Sequence, residues 1–115
     1  MKVNAKLICK EIEKVLSKNK AIDINKIDLK NKSSIADFMI VCSGTSSRHI
    51  VSLSNYLLET LKKKNLKTLN VEGRRGGDWI LLDAGDVIVH LFRSEVRDYY
   101  RLEKMWEVNN LNAKI

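Results

Sequence analysis

The run Phe38 to Cys42, FMIVC, is continuously apolar, and it leads through SGTSS into a stripe of Ile50, Leu53, Leu57 and Leu61 spaced by three and four. An unbroken apolar run of this length suits a strand covered on both faces. The stripe is the signature of an amphipathic helix, and SGTSS supplies a turn and a helix cap between them. A strand, glycine turn and helix in succession commit the chain to layers of helix on sheet.

The remaining segments extend the alternation. Val3, Leu7, Ile8, Ile12, Val15 and Leu16 predict an amphipathic first helix ending near Lys18. Ala21 to Leu29 alternates and reads as a half-exposed strand, followed by a lysine-flanked loop, Lys30 to Ser34. Leu66 to Val71 reads as a strand parallel to Phe38–Cys42 and beside it, because a helix intervenes.

Trp79–Leu82 and Asp86–Phe92 form a hairpin. The loop Asp83, Ala84, Gly85 fits a three-residue connection, which pairs Leu82 with Asp86 and Asp78 with His90. His90 then shares a face with Ile80, Leu82, Ile88 and Phe92. A two-residue turn, with Asp83 opposite Asp86, would pair Trp79 with His90 instead.

Ser94 caps a last helix whose face carries Val96, Tyr99, Tyr100, Leu102, Met105 and Trp106. The expected fold is α/β, a mixed sheet of about five strands flanked by helices. At 115 residues, 44% of them hydrophobic, the chain is expected to form one domain over residues 1–107, with a frayed tail over 108–115.

No apolar run approaches the roughly 18–20 residues that span a bilayer, and the lysine-studded N-terminal segment has neither a signal-peptide core nor a transit peptide. The expectation is a cytoplasmic protein with no membrane partner. Cys9 and Cys42 fall in apolar patterns without a CxxC motif, as expected of reduced core thiols.

The net charge of +7 is unevenly placed. Residues 1–36 hold nine lysines against four acids, 37–71 five bases against two acids, and 72–115 seven bases against eight acids. The excess therefore belongs to the first helix and linkers, and the motif-rich final third is close to neutral. That distribution speaks for solubility charge more than for a phosphate-binding face.

Three groups of residues invite chemistry. SGTS at a helix start offers an anion site, but no DxD pair follows to hold magnesium against a nucleotide. Gly73, Arg74, Arg75, Gly76 and Gly77 make a basic loop without the Walker lysine, and a mobile loop contacting a partner is the simpler reading. Asp86 and His90 are about 13 Å apart along a strand, too far for a shared metal. No cofactor or metal is expected. His49 reads as ordinary surface. Trp79, Tyr99, Tyr100 and Trp106 read either as core or as anchors of a protein interface.

The segments SSIADFMIVCSGTSSRHI, EG followed by GDWILLDAGDVIVHLF, and SEVRDYYRLEKMW resemble the bacterial ribosomal silencing factor, or Iojap-related, family. The resemblance covers roughly Ile22 to Trp106. One departure is Ala84, where the family usually has an aromatic in the hairpin turn.

The resemblance implies a nucleotidyltransferase-like fold without catalytic carboxylates, and a binding protein instead of an enzyme. It implies docking on the large ribosomal subunit through ribosomal protein uL14, blocking association with the small subunit and lowering translation when nutrients are scarce. It also implies a homodimer when free. The partner-binding residues expected on this basis are Glu72, Trp79, Leu82, Asp86, His90, Glu95, Tyr99, Tyr100 and Glu103. Acids suit a basic ribosomal protein, and lysines of the first helix would make peripheral ribosomal RNA contacts. Two alternatives stay open: a large-subunit assembly factor, and a small nucleotidyltransferase using SGTS with Asp83 or Asp86.

Overall fold

The computed structural model describes residues 5–34, 36–64, 66 and 69–100, the side chains of 98–100 excepted. The elements are α1 (Ala5–Lys18), β1 (Ile22–Asp28), β2 (Phe38–Gly44), α2 (Ser47–Lys63), β3 (Asn70–Glu72), β4 (Trp79–Asp83), β5 (Val87–Arg93) and α3 (Ser94–Tyr100). They form a mixed five-stranded sheet in the order β1-β2-β5-β4-β3. The expected α/β class and strand number are therefore found.

β2 is buried at every position, as its unbroken apolar run requires. Its parallel neighbour is β5, in register from Phe38↔Val87 to Gly44↔Arg93. The parallel partner expected for β2 was the Leu66–Val71 segment. That segment instead contributes only Asn70–Glu72, pairing antiparallel with β4 at the far edge of the sheet. β5, buried at Val87 through Phe92, is the better occupant of a site covered on both faces. Leu66 and Leu69, no longer strand residues, pack partly buried against the helix-side core.

Two apolar clusters fill the two faces. Ile8, Ile12 and Leu16 of α1 and Ile50, Leu53, Leu57 and Leu61 of α2 meet Ile40, Cys42, Ile80, Leu82, Val89 and Leu91 on one side. On the other, Ile27, Leu29, Met39, Val41, Ile88 and Phe92 cluster, with Trp79, Leu81 and Val96 partly buried against them. The alternation expected over Ala21–Leu29 changes phase within β1: Ile24 packs toward α1 and α2, and Ile27 toward the opposite face.

β1 also shifts register between Ile22 and Asn25, with Asp23 at φ 51°. Arg97 of α3 donates to the Asp23 carbonyl at 2.6 Å and to Ser43 Oγ at 2.9 Å, supplying a bulged backbone group with a partner. Cys9 and Cys42 are free, buried thiols, pushed up by burial to about 11 and about 12. The expected continuation of α3 to Trp106, and the tail over 108–115, lie outside the described residues. Among the described residues, no helix is long and apolar enough to cross a membrane.

Candidate docking surface

The β4–β5 turn decides which side chains reach the sheet face opposite α1 and α2. Ala84 N–H donates to the Val87 carbonyl at 2.9 Å, leaving Gly85 and Asp86 as the two central residues. Gly85 has φ +83° and Asp86 does not have positive φ, the pattern of a turn with glycine first. Asp83 Oδ1 accepts from the Gly85 N–H at 2.9 Å.

The register is therefore neither of the two expected. Trp79 faces Phe92, Leu81 faces His90 and Asp83 faces Ile88. Relative to the three-residue loop, the offset is odd, so every β4 side chain changes face. Leu82 is fully buried in the helix-side core and presents no surface to a partner. Leu81 takes its place, half-buried beside Trp79. His90 does share a face with Ile88 and Phe92, but its β4 neighbours are Trp79 and Leu81, not Ile80 and Leu82.

His90 is also fully buried and thus lies under the surface. The Trp79 indole stacks on Phe92, ring centres 5.1 Å apart, and lies 5.7 Å from the imidazole. Trp79 Nε1–H donates to His90 Nδ1 at 2.8 Å. Because Nδ1 accepts, the ring proton sits on Nε2, which is buried with no hydrogen-bond partner among the described residues. Burial lowers the imidazole from its ordinary 6.5 to about 4, so the ring is neutral at pH 7.

Exposed acidic side chains lie on and beside the strands that carry Trp79 and Leu81. The register puts Glu72 opposite Leu81 and Asn70 opposite Asp83 on the same side of the sheet. Glu72, Asp78, Asp83, Asp86 and Glu95 are all exposed. They divide between the two ends of the strands. At one end Arg93 bridges Asp78 at 2.8 Å and Glu95 at 3.0 Å, both carboxylates holding its guanidinium above the usual range. At the other, the Asp86 carbonyl accepts from Asp37 and Phe38 N–H groups. Tyr99 and Tyr100 belong to α3, but their side chains, like all of Glu103, lie outside the described residues.

The other motifs resolve into supports. Ser46 caps α2, accepting from the His49 N–H at 3.1 Å. His49 is half-buried, not ordinary surface: Nδ1 accepts from the Thr45 N–H at 3.0 Å, and Nε2 lies 2.9 Å from the Asn19 carbonyl. One donor of the SGTS turn is thereby used within the fold. The only prior sign was a histidine three residues after a capping serine. The GRRGG loop makes two contacts with α2: Arg74 bonds Asn55 Oδ1 at 2.8 Å, and Gly77 is buried against Ser47.

SGTS closes the carboxyl end of β2, and Asp83 and Asp86 flank the start of β5. These strands are parallel and aligned over seven residues, so about 20 Å separates the anion turn from the carboxylates. A nucleotidyltransferase site needs them together.

An indole fixed over a buried imidazole, a half-buried leucine and nearby exposed carboxylates make a candidate docking surface on a small α/β protein. The chain belongs to the ribosomal silencing factor family, whose members are regulatory proteins: the profile described as "Ribosomal silencing factor during starvation" matches residues 2–114. The ribosomal silencing factor of Zymomonas mobilis is 43% identical over 87% of this chain and 75% of its own length. A crystal structure from Chromobacterium violaceum superposes with TM-score 0.88 at 35% identity, covering 91% of this chain and 88% of the other. The mouse protein named "Mitochondrial assembly of ribosomal large subunit protein 1" is 28% identical over 98% of this chain and 51% of its own.

Proposed function

We propose that this protein binds the large ribosomal subunit through ribosomal protein uL14, prevents the small subunit from joining, and so represses translation when nutrients are limiting. The observation that carries the reading is the Trp79 and Leu81 patch with its acidic rim. Ribosomal proteins are generally basic, and an apolar anchor ringed by carboxylates complements such a partner. Glu72, Asp86 and Glu95 belong to this rim in the proposal, and Tyr99, Tyr100 and Glu103 are proposed as further partner contacts. The basic excess elsewhere gives peripheral contact with ribosomal RNA, and the same apolar patch pairs two copies when no ribosome is present.

Subunit joining tests the proposal: added to separated subunits, the chain lowers the yield of joined ribosomes, and Trp79→Ala restores it. Unchanged joining at saturating chain would contradict it. The mouse relative's name favours a second reading, a role in large-subunit assembly. Sedimentation with precursor particles but not with mature subunits would select that reading.

A further inference from the structure

We propose that His90 is a positioning residue for the docking face: its Nδ1 holds the Trp79 indole in the orientation that meets the partner, while His90 itself makes no contact there. The inference rests on the docking role given to Trp79 above. Trp79 and His90 are diagonal neighbours across β4 and β5, since Trp79 lies directly opposite Phe92. Phe92 fixes one side of the indole by stacking, and the 2.8 Å bond to Nδ1 fixes its rotation in that plane.

The choice of histidine is otherwise unexplained by packing. Position 90 is fully buried among Ile88, Phe92 and Leu81, where an aliphatic side chain would pack without bringing in a ring N–H of its own but would take away the acceptor of the Trp79 indole. The imidazole instead carries an Nε2–H with no acceptor among the described residues, a destabilising arrangement. What it supplies in exchange is a neutral acceptor at the indole N–H. An imidazolium, with protons on both nitrogens, could not accept there.

The test begins with the unaltered chain, labelled with nitrogen-15. A scalar coupling across the hydrogen bond between Trp79 Nε1 and His90 Nδ1, with Nδ1 unprotonated, is expected; its absence would overturn the inference. Binding to isolated large ribosomal subunits is then compared for three variants. His90→Leu removes the acceptor and is expected to weaken binding about fivefold, the worth of one neutral hydrogen bond, and to shift the Trp79 indole resonance. His90→Asn returns an oxygen near the Nδ1 position and is expected to restore both. Wild-type binding by His90→Leu, or no rescue by asparagine, overturns the positioning role provided Trp79→Ala weakens binding. If Trp79→Ala binds normally, the docking reading fails and the inference falls with it.

Discussion

The imidazole of His90 couples the stability of the fold to pH. Its folded value of about 4 lies below the ordinary 6.5, so the unfolded chain takes up a proton more readily than the folded one. The resulting stability is fully present above about pH 6.5 and is lost as pH falls toward 4, by on the order of 3 kcal/mol. Urea unfolding at pH 7 and pH 4.5 should show this loss, and His90→Leu should flatten it. Two adjacent leucines separate stability from binding in the same way. Leu82→Ala opens the helix-side core and should cost about 3 kcal/mol in urea unfolding. Leu81→Ala should cost far less there and instead weaken binding to the large subunit. Equal stability losses for the two would contradict the register.

At the level of elements, the β4–β5 turn governs the site because it fixes which face each strand residue takes. Gly85 has positive φ but nothing within 4 Å of an added Cβ, whereas a Cβ on Gly77 would approach Ser47 Cβ to 2.7 Å. Gly85→Ala should therefore cost about 1 kcal/mol from backbone strain alone. Gly77→Ala should cost more, about 2–3 kcal/mol, by adding a clash at the start of α2. Thermal denaturation of both variants checks the order.

The same turn marks the limit of what the sequence makes legible. Apolar period located α1, β2, α2 and the two hairpin strands, because burial on one or both faces leaves a direct trace. Asp83-Ala84-Gly85-Asp86 admits several loops, and glycine fits the special position in more than one. The choice between Leu81 and Leu82 as the accessible leucine hung on that ambiguity. β3 differs for another reason: three residues at a sheet edge carry almost no periodic signal, and the central place expected for them suits β5, which is buried from Val87 through Phe92. Trp79, Glu72 and Glu95 were recognisable as accessible chemistry, but the burial of His90 follows from long-range pairing with β2 that no local pattern reports.

Over the whole molecule, charge and apolar anchoring are separated. The basic excess lies in residues 1–71, with Lys10, Lys14 and Lys18 exposed along α1, while the proposed anchor is built from β4 and β5. Their contributions to binding should have different salt dependence. Charge reversal at Lys10 and Lys14 should reduce the slope of affinity against salt if these lysines lie near ribosomal phosphates. Trp79→Ala should lower affinity by a similar factor at every salt concentration, as a buried apolar anchor does. Sedimentation binding across a salt series distinguishes the two.

The most direct measurement is of subunit joining with purified large and small subunits, the chain titrated against a fixed amount of each. The predicted result is a dose-dependent fall in joined ribosomes, with the chain found on the free large subunit and the effect lost in Trp79→Ala. Undiminished joining while the chain saturates the large subunit would contradict the account.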